Sequence, residues 1–185
     1  MLNGDVSVTA NLNSTYTDEG ATATNSDGSS VTVTADITAV NTSSTGAYTV
    51  TYTATNENGT ATAERTVTVV IGQSAWTSST WEISSDCGAT AFPLATPPTI
   101  SAGGSSALIF DSFFTAVGGT ANATINGSII TFSNQTINIT VGDVIFSGTG
   151  TMNASGTEFT VNYSYENTAP VIGEIGSCTA VYTKQ

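Results

Sequence analysis

GAYTVTYTATNENGTATAERTVTVV, residues 46–70, sets Tyr48, Val50, Tyr52 and Ala54 in alternation with Thr49, Thr51, Thr53 and Thr55. A period of two puts the aromatic and aliphatic groups on one face of a strand and the hydroxyls on the other. Asn56 to Gly59 then reads as a reversal, with Asn58-Gly59 supplying the positive φ angles of a tight turn. Thr60 to Val69 returns as the hairpin partner. Arg65, the only arginine, shares strand parity with Val67 and Val69. It is expected to pack its stem at the rim of the fold and to meet a carboxylate, with Asp18, Glu19 or Asp36 as candidates, because a buried guanidinium needs a partner.

Outward from this hairpin the pattern repeats. Val6, Val8, Ala10 and Leu12 alternate with polar residues as a first strand, and Asn13-Ser14 turns it. Tyr16 to Ala23 follows as a second extended stretch, then an Asp27-Gly28 turn, then Val31, Val33, Ala35 and Ile37 on one face of another strand. Five to seven short strands spaced by Gly, Asn and Asp turns suit an immunoglobulin-like sandwich over residues 1–71.

Composition sets the class of the whole chain. Hydrophobic residues make up 39% of the 185 and charged residues only 9%, so hydroxyl and amide side chains must cover the surface. No segment repeats apolar residues at helical spacing, and the wealth of Thr, Val and Gly favours strand. Two basic against fourteen acidic residues give a net charge of −12, which excludes a nucleic-acid partner and makes anionic membranes poor ones. No apolar run approaches the roughly 20 residues of a membrane span. Met1 followed by Leu2-Asn3-Gly4-Asp5 reads as a start placed after a removed leader, so any lipid anchor is expected to have gone with it.

The residues of the first half carry a resemblance. Asn13-Ser14-Thr15-Tyr16-Thr17-Asp18-Glu19-Gly20-Ala21-Thr22-Ala23, Asp27-Gly28, Gly46 to Thr55, Asn58-Gly59 and Arg65 to Val69 closely resemble the bacterial surface immunoglobulin-like domains related to hyalin repeats. The match spans residues 2 to 70. It implies a spacer or adhesion module on a cell surface. Where that family usually has Pro and Asp, this chain has Glu19 and Asn56, which weakens any acidic metal-binding tendency of its relatives.

A change of texture near residues 72–75 marks a linker, and residues 76–185 read as a second domain. Three of the four prolines lie between Phe92 and Pro98, a stretch unsuited to a central strand. Regular strands then resume. Ala121, Ala123 and Ile125 oppose Ser128, Ile130 and Phe132 across an Asn126-Gly127 turn; Ile137, Ile139 and Val141 lead into Val144, Phe146 and Met152; Phe159, Val161, Tyr163 and Tyr165 form a further strand, and Cys178 to Lys184 the last. Such a meander is expected to close into an antiparallel β-barrel or to split into a β-sandwich, because open edges invite pairing with other chains. Trp81-Glu82-Ile83, Asp86-Cys87-Gly88, Asn126 to Phe132, Phe146 to Thr151, Phe159 to Tyr163 and the ending Cys178 to Gln185 are similar to a C-terminal domain of lipoproteins and secreted proteins in flavobacteria and other Bacteroidota. That resemblance implies an extracytoplasmic home, tethered to or released from the outer surface, and no activity.

Little catalytic chemistry remains open. The chain has no histidine, which removes imidazole bases, His-based triads and the common zinc sites. A carboxylate pair drawn from Glu82, Asp86, Asp111, Asp143, Glu158, Glu166 and Glu174 is the enzymatic alternative, a glycoside hydrolase acting on surface polysaccharide. Acidic residues at strand ends are more often simply solubilising. Calcium at Asp18, Glu19, Asp27 or Asp36 is chemically reasonable, but their spacing matches no calcium loop, and no cofactor is called for. Trp76 is the candidate for stacking on a sugar, against the alternative that it packs between the domains; Trp81 is expected in the core. Cys87 and Cys178, the only cysteines, are expected to form a disulfide in an oxidising compartment, two buried free thiols being the alternative. The expectation is a monomeric, non-enzymatic surface protein whose partner, if any, is a glycan or another surface protein.

Overall fold

The computed structural model describes residues 1–87, 99–114, 118–140, 142–168 and 174–185. The Phe92–Pro98 loop and Val141 lie outside the described residues. The chain divides into two compact units, Met1–Val70 and Ile71–Gln185.

In the first unit a four-stranded sheet runs in the order β1 (Ser7–Asn11), β6 (Gly59–Val70), β5 (Gly46–Asn56), β4 (Val33–Asp36), and β2 (Ala23–Thr24) pairs with β3 (Ser30–Val31) in a second, smaller sheet. β1 and β6 are parallel, with Ser7 opposite Thr66 and Asn11 opposite Val70. The β5–β6 hairpin keeps the alternation of its sequence. Val50, Tyr52 and Val67 form the buried cluster, against which Val8, Tyr16, Ala21, Val33 and Tyr48 pack. Asn56 to Gly59 reverses the chain as expected, with Asn56 paired to Gly59 and Glu57 and Asn58 as the loop, but the positive φ falls on Gly59 (138°) and not on Asn58. The Asn56 side chain accepts the Asn58 N–H at 2.8 Å, which lets the loop close without it.

Tyr16 to Gly20 lies between strands and pairs with none, because the Asp18 carboxylate turns inward, accepting the Gly20 N–H at 2.9 Å and the Tyr16 and Tyr52 hydroxyls at 2.9 and 2.5 Å. The strand over Val31 to Ile37 breaks at Thr32, and only Val31 and Val33 are half-buried; Ile37 is exposed. Arg65 is 1% exposed and meets Asp18 at 2.6 Å, the first of its three candidate partners. Its Nε also donates to the Asp5 carbonyl at 2.9 Å, and Nη2 to the Asn3 carbonyl. Burial alone would raise the Asp18 pKa, yet the two tyrosine hydroxyls, the Gly20 N–H and the Arg65 charge hold it below the usual carboxylate range.

The second unit is one eight-stranded antiparallel sheet, curled as a half-barrel. Its order is β7 (Trp81–Ser85), β14 (Ile175–Lys184), β13 (Glu158–Asn167), β12 (Gly142–Met152), β11 (Ile129–Ile139), β10 (Gly118–Asn126), β9 (Ala107–Phe114), β8 (Thr99–Gly104). The meander thus curls in a single layer, with β7 and β8 at its two ends. Curling gathers Phe110, Phe113, Phe132, Phe146, Phe159 and Tyr182 into edge-to-face and stacked contacts, with centroids 4.1 to 6.4 Å apart. A bulge in β9, with Ser112 at φ 54°, lets the consecutive Phe113 and Phe114 both face inward. Gly150 admits the close approach of its neighbours, since a Cβ there would collide with the Thr160 carbonyl and the Ile130 and Val161 side chains. The β10–β11 loop is Gly127-Ser128, with Gly127 at φ 58°, so Asn126 belongs to the strand opposite Ile129.

The expected linker at 72–75 runs into a single helical turn, α1 (Gln73–Thr77). Gln73 Nε2 donates to the Gly104 and Ala107 carbonyls, the latter at 2.7 Å, which ties this turn to the β8–β9 hairpin.

Candidate functional site

The polar face of the half-barrel carries a groove of about 430 Å³ across β12, β13 and β14. Strand register builds it. Phe132, Gly148, Tyr163 and Cys178 stand in one cross-strand row, and on either side of that row lie Ser147, Ser164 and Ser177, and Thr149, Asn162 and Thr179. Short hydroxyl side chains leave the backbone between the rows uncovered. Thr179 Oγ1 donates to Asn162 Oδ1 at 3.1 Å, and the Ser164 and Ser177 hydroxyls are 3.4 Å apart.

Asp86 closes one end. Its Oδ1 accepts the Thr179 N–H at 2.6 Å, and its own N–H donates to the Thr179 carbonyl at 3.1 Å, which carries the β7–β14 ladder one residue past Ser85. The disulfide Cys87–Cys178 lies directly beneath, with Cα atoms 5.5 Å apart and 91 residues of separation. Beneath it the Tyr163 hydroxyl donates to Cys87 Sγ at 3.2 Å and lies 3.3 Å from Ser85 Oγ; burial pushes the phenol pKa up. This arrangement offers hydrogen bonds to a polar ligand. It holds one carboxylate, already engaged with a backbone N–H, and no second acid or base beside it.

The other candidates fall elsewhere. Trp76 is fully buried, edge-on to Phe159 at 5.1 Å, so it presents no face for a sugar. The helical turn α1, not an extended linker, rotates it into the core of the second unit. Trp81 is buried against the same Phe159 and donates from Nε1 to the Trp76 carbonyl at 3.0 Å. Among the described residues no aromatic ring is exposed.

The seven carboxylates do not converge. Glu82 on β7 and Glu158 on β13 both lie opposite Thr183, on the two strands flanking β14, which puts their Cα atoms two strand spacings or roughly 10 Å apart. Both are exposed on open sheet. Asp111 accepts from Thr120 on its neighbouring strand and Asp143 from Asn138, while Glu166 and Glu174 sit near the far end of β13. Among the calcium candidates, Asp18 is taken by Arg65, and Asp27 and Asp36 each accept the backbone N–H and hydroxyl of the residue two ahead, Ser29 and Thr38. The cluster with metal-ligand spacing, Asp86 with Cys87 and Cys178, has its sulfurs joined in the disulfide.

Apart from Asp86 and Cys178, the groove residues are not singled out by the sequence. Their signal was there only in combination: Ser147-Gly148-Thr149, Asn162-Tyr163-Ser164 and Ser177-Cys178-Thr179 share a polar, inward, polar pattern that becomes one surface once their register is known.

No curated protein matches the chain. Among solved structures it is similar to a lipoprotein of Bacteroides thetaiotaomicron, at 14% identity and a TM-score of 0.33, covering 98% of this chain and 97% of that one. It is also similar to the CBM51-2 and INT domains of Clostridium perfringens ZmpB, at 13% identity and a TM-score of 0.28, covering 100% of this chain and 43% of that one. Residues 1–69 match the family model described as bacterial surface protein, Ig-like domain, which accounts for the first unit up to its last strand.

Proposed function

We propose that the chain is a non-enzymatic, extracytoplasmic surface module that acts chiefly as a spacer. The observation that carries this reading is the match of residues 1–69 to a bacterial surface Ig-like family. Two features of the second unit support it. Its carboxylates are dispersed over open sheet, and its aromatic rings among the described residues are spent on the core. A net charge of −12 with hydroxyl-covered faces keeps such a module soluble and apart from its neighbours. Whether the parent surface protein is anchored by lipid or released is left to the location of the protein in fractionated cells.

A second reading rests on the groove at Asp86, Asn162 and Thr179, whose rows of hydroxyl and amide groups suit a polyhydroxylated ligand such as a glycan. Without a stacking ring its affinity would be weak. A glycan array with the intact chain tests both: the spacer reading expects no signal above background, and a signal abolished by Asn162→Ala with Thr179→Ala would replace it with the binding reading. Release of reducing sugar from surface polysaccharide would establish the hydrolase instead.

A further inference from the structure

We propose that the Met1–Val70 unit carries tension along the chain through a clamp made by β1 and β6 and bolted by Arg65, an inference that rests on the spacer reading and gives it mechanical content. β1 and β6 are adjacent and parallel, and the chain passes on to the second unit directly from the end of β6. Ser7 lies beside Thr66, whereas Val70 lies beside Asn11. A pull on the chain ahead of Ser7 and on the chain after Val70 therefore acts at opposite ends of the pair and in opposite directions. The strands must slide past one another, and the whole ladder is strained at once. Were they antiparallel, both pulling points would sit at one end and the bonds would part singly. The ladder also runs past its five paired positions, because Thr66 N–H donates to the Val6 carbonyl at 2.9 Å and Leu12 N–H to the Val70 carbonyl at 2.8 Å.

Arg65 adds a grip just upstream of β1. From β6 it reaches the carbonyls of Asp5 and Asn3 and the carboxylate of Asp18, and it is 1% exposed. Bonds held out of water are stronger, and solvent is slow to replace them as they stretch. Ahead of that point Leu2 bridges Ala21, and Asn3 N–H donates to the Gly20 carbonyl at 3.0 Å. The incoming chain is thus held by the Gly20–Ala21 segment, then by Arg65, then by β6. Forced unfolding is governed by the unfolding rate, so these contacts resist a pull to the extent that they must break before the barrier is crossed.

Force spectroscopy on the intact oxidised chain, tethered through its two ends, tests the clamp. The two units are told apart by length. Unfolding the first releases on the order of 200 Å at about 3.5 Å per residue, whereas the disulfide spanning 91 residues keeps most of the second from extending until reductant is added. A second tether replaces the N-terminal handle with a click handle at exposed Thr15, just past β1, which moves the pulling point to the Val70 end and turns sliding into peeling. At matched force the long event is expected to be at least roughly tenfold slower through the chain ends than through Thr15, since two additional bonds broken in one step account for a factor of that size. Arg65→Lys, which keeps a charge opposite Asp18 but loses the planar fork, is expected to speed the end-tethered event more than the Thr15 event, because the bonds to the Asn3 and Asp5 carbonyls lie in the loaded segment only when the chain ends are pulled, whereas the Asp18 contact is loaded by both tethers. Should that variant fail to fold, the two tethers of the unaltered chain decide. Equal rates from both tethers overturn the clamp and leave the spacer reading standing; a specific glycan ligand would overturn the spacer reading without altering this comparison.

Discussion

The first unit centres on a small buried cluster of Val50, Tyr52 and Val67, and sets beside it Arg65, Asp18 and Tyr16, with the Tyr52 hydroxyl joining the two. The second packs a continuous run of aromatic rings and joins its opening and closing strands by a covalent bond. A short immunoglobulin-like sheet cannot bury enough large side chains to be held by them alone, so a hydrogen-bonded ionic centre fixes where its N-terminal segment docks. A long curled sheet has the opposite difficulty. Its core is ample, but its terminal strand β7 meets only five residues of β14, and the disulfide fixes that edge. Few charges are needed in either scheme, which is how a chain with 9% charged residues folds twice.

The contrast can be broken first at the disulfide. Cys87→Ser with Cys178→Ser is expected to cost the second unit about 4–5 kcal/mol, the value of the chain-entropy model for a loop of this size. Both tryptophans lie in that unit, so their fluorescence reports its unfolding alone. Hydrogen exchange over residues 46–70 follows the first unit. Loss of protection there equal to that over residues 158–184 would show that the two are not separately held.

Arg65→Met is the matching cut in the first unit, expected to cost about 3–5 kcal/mol because it strands the Asp18 carboxylate and two backbone carbonyls. Exchange over residues 46–70 should accelerate while the tryptophan signal keeps its midpoint. A change under about 1 kcal/mol would mean that Asp18 and the carbonyls find water instead, and that the ionic centre is incidental.

These differences bear on what could be read from the chain beforehand. Strict alternation placed the β5–β6 and β10–β11 hairpins and the inward direction of Arg65, since parity is local and needs no partner. The β10–β11 turn lies one residue later than its Asn-Gly pair suggests, because Asn126 stays in the strand, and in the β5–β6 turn only the glycine of Asn58-Gly59 takes a positive φ. The course of Tyr16 to Gly20 is decided by the Asp18 carboxylate and its partner Arg65, and their separation of 47 residues hides that pairing from any local pattern. Trp76 sits on a single helical turn that no apolar repeat announces, and that turn decides that it is buried. The groove depends on register across three strands, and the half-barrel on how far the sheet curls. Neither is a property of any one segment.

The finest difference between the units should emerge in acid. Asp18 is held below the usual carboxylate range, and Asp27 and Asp36 are lowered as well by the hydroxyls and backbone N–H groups of Ser29 and Thr38. A depressed folded pKa contributes stability that is fully present above the unfolded value of about 3.9 and is lost as pH falls through the folded value. The first unit is therefore expected to be insensitive to pH from neutrality down to about 4 and to weaken below it. Arg65 stays charged throughout, and the raised phenols of Tyr16 and Tyr52 stay protonated, so neither offsets the loss. A disulfide does not titrate, and the hold it gives β7 is unchanged over the same range. Asp18→Asn should lower the starting stability of the first unit but flatten its slope below about pH 4, leaving only the share of the two exposed turns. Denaturant midpoints at a series of pH values, read by exchange over residues 46–70, measure that slope. An unaltered slope in the variant would place the acid sensitivity in Asp27 and Asp36, and would remove Asp18 as the group whose protonation loosens the grip of Arg65.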